Sequence, residues 1–320
     1  MISLRAAVID GMRCWIESNH HHAMRKNSDD QPFRHYTLKH RVVSWVSRTF
    51  FDDLTYNVRH GLLKGMKRKG GLAWIPEFGG SSQGTPEHQF FARLDVSGKV
   101  VFDVGAFEGL VALFFSRQAR HVVCYEPNSR NHARLCENLK LNGIQNVTVR
   151  KCGLGAKGSA CAMVWDPSMA GGATVTSSLS TTIGGRASAH REEIHVTTLD
   201  EDLAEAHLPE PDLIKVDVEG YELPVLQGAR HILERRHPVL YLEMHGETMA
   251  EKRANVRAIV AYLNSLGYAD ILHVESGQKI APENCELAAQ GHLYAIKSTN
   301  QSCADRTVEQ TAPSPGHRVS

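Results

Sequence analysis

The sequence predicts an α/β protein with a mainly parallel, doubly wound sheet that ends in an antiparallel strand pair. Three observations predict it. Short apolar runs at Val100–Val104, His121–Tyr125, Val147–Arg150 and residues 213–218 and 239–244 alternate with helix-length amphipathic stretches, as βαβ units require. Two of these runs, Val100-Val-Phe-Asp-Val-Gly-Ala-Phe-Glu-Gly109 and Leu213-Ile-Lys-Val-Asp-Val-Glu-Gly220, finish in carboxylates and a glycine. In an open α/β sheet, ligands sit outside such carboxyl ends, where the strand order reverses. The last two runs, residues 271–275 and 292–297, have no helix of adequate length between them, so they pair antiparallel at the sheet edge.

Taken in order, residues 1–84 read as an N-terminal extension, partly disordered, with a lid or substrate region as its suggested role. Residues 19–34 are polar and carry the His20-His-His22 cluster, which has too little context for a metal site. Residues 40–51 lean to helix. Residues 56–76 are punctuated by Gly61, Gly65, Gly70 and Gly71, which suits a hairpin or loop, and the basic part around Arg59 to Gly71 could close over a cofactor. Thr85 before Pro86 is a helix-start signal and opens the main domain, residues 85–297. Residues 110–115 form a helix behind Gly109. Asn128 caps another, with Ala133, Leu135 and Leu139 on its apolar side and Asn142-Gly143 as its stop. Further helices are expected over residues 224–235 and 255–266. The polar tail, residues 298–320 with Pro313 and Pro315, is expected to be disordered.

Composition narrows the function classes. The chain has 320 residues, 42% hydrophobic and 22% charged, with a formal net charge of +1, so nothing demands nucleic acid as a partner. The first seventy residues hold a roughly twofold excess of basic over acidic side chains, including Lys64, Lys67, Arg68 and Lys69; a solvated basic face is the favoured reading. Seven scattered cysteines without a C-x-x-C pair suggest a reduced protein with no cysteine metal site. No run of about eighteen apolar residues exists, and the start lacks a secretory h-region, so a cytoplasmic protein without a membrane span is expected.

The first strand end separates two cofactor classes. Dinucleotide sites use G-x-G-x-x-G because the second glycine lets backbone approach the pyrophosphate. Here Gly105-Ala-Phe-Glu-Gly109 puts Phe107 in that place. What remains is a tight turn before a helix N-terminus, which suits the carboxylate of a ligand without phosphates. S-adenosylmethionine is such a ligand. Glu126, about twenty residues beyond Gly105 in Tyr125-Glu-Pro127, is placed to accept from ribose hydroxyls. Asp103 ends an apolar strand and needs a nearby cation, which the sulfonium and ammonium of that cofactor would supply.

These blocks resemble the FkbM-type S-adenosylmethionine-dependent methyltransferases. The carriers are Val101 to Gly109, Tyr125-Glu-Pro127, Val196-Thr-Thr-Leu-Asp200 and Ile214-Lys-Val-Asp-Val-Glu-Gly-Tyr-Glu222 running on to Val225-Leu-Gln-Gly-Ala229, in the expected order over residues 85–297. The resemblance implies a class I Rossmann-like fold, S-adenosyl-L-methionine as methyl donor and, typically, a hydroxyl acceptor. It places Asp103, Gly105, Gly109 and Glu126 on cofactor positions, and it does not settle a catalytic base.

The second strand end supplies the candidate bases. On a strand Leu213, Lys215 and Asp217 share one face, and a lysine inside an apolar strand demands a carboxylate partner such as Asp217 or Glu243. Whether that pair only orients the strand ends or acts in the site stays open. A hydroxyl acceptor must lose a proton, and Asp217, His245 and Glu243 are the candidates, Asp217 first. The same three residues could instead hold a divalent metal, the less favoured reading. The expected acceptor is a small molecule or glycan precursor, with the hydroxyl-rich residues 167–185 as a candidate specificity segment. Nitrogen methylation of nucleic acid ranks low, because Asp-Val-Glu-Gly replaces the Asn/Asp-Pro-Pro-aromatic sequence. A non-catalytic scaffold that keeps the cofactor fold is the alternative from another class.

Overall fold

A computed structural model describes residues 52–70, 86–166, 173–175, 184–185 and 189–297. The expectations for residues 1–51 and 298–320, and for most of 167–185, fall outside these. Thr55–Asn57 (β1) pairs antiparallel with Lys67–Lys69 (β2), so the glycine-punctuated stretch is a hairpin. A helix begins at Pro86 (α1, Pro86–Arg93), as the Thr-Pro signal predicts. Val100–Val104 (β3), Leu110–Phe115 (α2), His121–Tyr125 (β4), Ser129–Leu141 (α3) and Val147–Arg150 (β5) follow. The Asn128 side chain accepts from the backbone N–H groups of Arg130 and Asn131 and caps α3.

The next segment forms a small second sheet that the sequence reading did not resolve into strands. Gly153–Leu154 (β6), Ser159–Trp165 (β7), Ala173–Thr174 (β8) and His190–Thr197 (β9) lie in the order β6-β9-β7-β8. After Leu199–Glu205 (α4) comes Leu213–Val216 (β10), two residues shorter than expected. The chain leaves the ladder there because Glu219 takes φ 55 and Gly220 φ 94, both incompatible with extended strand. The helix expected over 224–235 is two pieces, Glu222–Gly228 (α5) and Arg230–Arg235 (α6). Asp200 accepts from the N–H groups of His231 and Ile232, satisfying donors that a continuous helix would have bonded internally. Val239–Glu243 (β11) leads to Met249–Ser265 (α7), which starts before the expected residue 255 because Thr248 caps a polar first turn that apolar periodicity does not mark. Asp270–His273 (β12), Lys279–Ile280 (β13) and His292–Ile296 (β14) complete the domain.

The eight-stranded sheet runs β13-β12-β14-β11-β10-β3-β4-β5. Strands β11, β10, β3, β4 and β5 are mutually parallel, while β14 is antiparallel to both β11 and β12. The expected terminal pair is present, but β14 lies inside the sheet and β13 forms the edge. The chain order reverses between β3 and β10. Period-two alternation divides the core: Phe102, Val104, Ile214, Val216, Leu240 and Leu242 pack on the side of α5 to α7, while Val101, Leu213 and Tyr241 pack with Phe91 and Phe115 on the other.

Two asparagines at the end of α3 bond the backbone of the hairpin, and Lys69 pairs with Glu137 beside them. Asn142 accepts from Lys67 N and donates to Lys67 O, at 2.8 and 2.7 Å, and Asn138 accepts from Lys69 N at 2.9 Å. The match is geometric: two strand residues advance about 6.6 Å and four helix residues about 6.0 Å. Asn138 also donates to Glu108 O, and Arg68 pairs with Glu108 at 3.2 Å. Arg68 is buried, so it leaves the solvated basic face expected of its cluster.

Candidate active site

A cavity of about 560 Å³ opens at the carboxyl ends of β3, β4 and β10, at the reversal of strand order. Gly105, Phe107, Glu126, Asp217, Glu219, Glu243 and His245 line it from the main sheet. The second sheet closes the opposite side with Met163, Ala173, Thr174, Ile194 and Val196. Residues 173–175 are the described part of the hydroxyl-rich segment at this wall. Among the described residues, none of 52–70 lines the cavity; the hairpin is held on α3.

Backbone geometry shapes the cavity at both strand ends. Gly105 has φ 79, and a Cβ there would lie 1.8 Å from the Asp217 carbonyl oxygen, so only glycine lets β3 and β10 end this close together. Phe107 has φ 51, a left-handed conformation rare for a bulky residue, and its N–H donates to Glu126 Oε2 at 2.8 Å. The position where a dinucleotide site carries its second glycine therefore keeps a glycine-like backbone while adding an aromatic side chain to the wall. Gly109, φ 87, starts α2 and faces Leu135 of α3; its role is packing behind the cavity.

Glu126 is 5% exposed and accepts from two backbone donors, Phe107 N and Asn128 N. Burial pushes its carboxyl up to about 7, and the two backbone hydrogen bonds offset this only in part. Asp103 is fully enclosed. The cation beside it is Lys215, whose Nζ lies 3.4 Å from Asp103 Oδ1, donates to Asp217 Oδ2 at 3.0 Å and to the Gly105 carbonyl at 3.3 Å. This corrects the expectation that a ligand provides the charge Asp103 needs. Burial would pull Lys215 down, but Asp217 and Asp103 outweigh it and keep the ammonium charged. The ammonium ties the ends of β3 and β10 together. Of the four expected cofactor residues, Gly105 and Glu126 reach the cavity, while Asp103 and Gly109 stand behind it.

The three candidate bases do converge. Asp217 ends the strand next to β3, Glu243 closes β11, and His245 follows two residues later. Glu222, almost fully buried, sits 2.7 Å from His245 Nδ1 and also accepts from Gly220 N. As an acceptor, Glu222 fixes the proton on Nδ1 and aims Nε2 at the cavity. Around Nε2 lie Glu243 Oε1 at 3.4 Å and Asp217 Oδ1 and Glu219 Oε2 at 3.7 Å each. Burial works against a charge on His245, but Glu222, Glu243 and Glu219 outweigh it and hold its pKa well above that of free histidine. His292, from β14, faces the other oxygen of Glu243 at 3.6 Å. Burial raises the Glu243 carboxyl, and the two imidazoles more than reverse this, holding it well below the usual range. The sequence reading did not single out Glu222 or His292 for the site. Glu222 stands three residues after Glu219 in a motif already noted, whereas nothing local marks His292, which arrives through strand pairing.

The sequence matches the methyltransferase FkbM domain over residues 103–269, about half of the chain. The chain belongs to the FkbM methyltransferase family. The match takes in every cavity residue from Val104 to Lys252. A curated relative, Methyltransferase 1 of Beauveria bassiana (strain ARSEF 2860), is 27% identical over 142 residues, 40% of this chain and 57% of that protein. Methyltransferase FkbM from Methylobacillus flagellatus KT aligns with a TM-score of 0.42 at 20% identity, covering 66% of this chain and 50% of that one. An rRNA methylase from Streptococcus thermophilus aligns with a TM-score of 0.39 at 13% identity, covering 68% and 99%. The match thus spans little more than half the length of the curated relative. In this FkbM-family chain the block Val225 to Ala229 also has a packing reason: a Cβ on Gly228 would meet the Gly155 carbonyl oxygen at 1.9 Å, so α5 presses on the turn behind β6.

Proposed function

We propose that this chain is an S-adenosylmethionine-dependent methyltransferase that acts on a hydroxyl group of a small molecule or glycan precursor. The observation that carries the reading is one cavity with two unlike ends. Glu126, backed by the β3–α2 turn, forms an end suited to ribose hydroxyls; Asp217, Glu243 and His245 form the other. Family membership supports the cofactor, and the cavity falls in the range of small-ligand sites, about 300–1,000 Å³. When bound, S-adenosylmethionine supplies a methyl group activated by its sulfonium.

The chain's own residues then have three tasks. The cavity walls hold donor and acceptor in line, which alone can remove much of the barrier. Asp217 Oδ1, the oxygen not bonded to Lys215, takes the hydroxyl proton as the acceptor oxygen becomes the nucleophile. Charged His245, whose Nε2 faces the same space, offers a positive electrostatic field and is no base while protonated. Calorimetry with S-adenosylmethionine and S-adenosylhomocysteine tests the first step. Binding of both in the micromolar range is expected, and binding of neither ends the reading. With an acceptor in hand, Asp217→Asn is expected to lower kcat by about 10²-fold or more, the usual weight of a general base; full turnover in that variant removes Asp217 from the role.

A further inference from the structure

The geometry points to a divalent-cation site whose protein ligands are Asp217, Glu243 and His245, suited by its donors to Mn²⁺ or Mg²⁺. It deepens the methyltransferase reading, because it lies at the acceptor end of the same cavity. A bound cation would displace the Nε2 proton of His245, and Asp217 Oδ1 would then hold the ion in place of accepting the hydroxyl proton. Three observations carry it. One ligand atom from each of the three residues lies within 4.8 Å of the others. Atoms about 2.1 Å from a common centre stand about 3 to 4.2 Å apart, and the separations from His245 Nε2, 3.4 Å to Glu243 and 3.7 Å to Asp217, fall in that interval while being too long for good hydrogen bonds.

The second observation is the carboxylate behind the imidazole. Glu222 is 1% exposed and bonded to Nδ1 at 2.7 Å, the arrangement that fixes tautomer and ring orientation in histidine ligands to metals. The third is independent of that dyad. Nε2 of His292, a buried residue, makes no hydrogen bond and stands 3.6 Å from Glu243 Oε2 and 3.7 Å from Glu87 Oε1. His292 has its own carboxylate, Glu275, on Nδ1. Glu243 is thus flanked by two oriented imidazoles, one on each oxygen. The donor set of two carboxylates and one imidazole suits a cation that accepts oxygen first and nitrogen second. Glu219, 3.7 Å from Nε2, is within reach as a further oxygen donor.

Titration of the full chain with Mn²⁺, followed by loss of the free-ion EPR signal, tests the site. One equivalent of bound Mn²⁺, displaced by Mg²⁺, is expected. Asp217→Asn, Glu243→Gln and His245→Gln should each weaken binding at least tenfold. Glu222→Gln, which removes no ligand, should also weaken it about tenfold or more through the ring it orients. The inference is overturned if the unmodified protein shows no saturable Mn²⁺ binding, or if Asp217→Asn and Glu243→Gln bind as the parent does. Calorimetry with S-adenosylhomocysteine on EDTA-treated protein keeps the two readings apart. Cofactor binding without Mn²⁺ binding overturns the cation alone, whereas Mn²⁺ binding without cofactor binding overturns the methyltransferase reading alone.

Discussion

Two residues at the β3 end set different kinds of limit. Glu126 is protonated below about 7 in the free protein, because burial disfavours its charge. Ribose hydroxyls donate best to the ionised form, so cofactor binding should strengthen as pH rises through 7. If binding returns the carboxyl toward its ordinary value, S-adenosylhomocysteine affinity should rise about tenfold between pH 6 and pH 8. Calorimetry at the two values checks this, and Glu126→Gln should flatten the dependence. The sign for folding without ligand is opposite: a raised carboxyl contributes stability that is complete below its unfolded pKa and is lost as pH rises through 7. Gly105 sets a steric limit. Gly105→Ala brings a methyl against the Asp217 carbonyl in a left-handed conformation, and urea unfolding should show a loss of about 2–4 kcal/mol. At this scale the sequence spoke through local chemistry: Glu126 and the Gly105 turn were readable. The partner of Asp103 was not, since the β3–β10 register decides that Lys215 stands beside it.

Among the elements, the hairpin and α3 are joined by asparagine amides and by an ion pair, with Val58, Leu63 and Met66 buried in the same apolar cluster as Leu135 and Leu139. Asn138→Ala should leave Lys69 N and Glu108 O without partners and cost about 1–3 kcal/mol in chemical unfolding. Faster proteolysis in the 58–66 turn should accompany it, because the hairpin would lose one of its ties to α3 while the Asn142 bonds to Lys67 remain. The hairpin itself was legible from its glycines, and the parallel strands from short runs rich in β-branched and other apolar residues. Strands β6 to β9 were not. Two of them are only two residues long, and the burial of His190–Thr197 does not alternate cleanly, so neither length nor period two marks them. The split between α5 and α6 was hidden for another reason. It rests on Asp200, far away in sequence, supplying the acceptor at the break.

For the whole molecule, the cavity joins the main sheet to the second sheet, so a ligand should be felt by both. Hydrogen exchange with saturating S-adenosylhomocysteine should slow amides in residues 104–107 and 126–131 and also in 153–154 and 194–196. Protection confined to the first pair of segments would mean that the second sheet does not close on the cofactor. The doubly wound plan was predictable because it repeats one unit. The layer over the cavity was not, since it follows no repeat. The position of β14 has a further consequence for biogenesis. During synthesis the hydrogen-bonding edge of β11 stays bare until residues 292–296 have left the ribosome, since no earlier strand takes that place. Glu243 likewise waits for His292. A nascent chain halted before that point has an open sheet and an incomplete acceptor end, so the final described strand acts as a latch that couples the finishing of the protein to the finishing of its site.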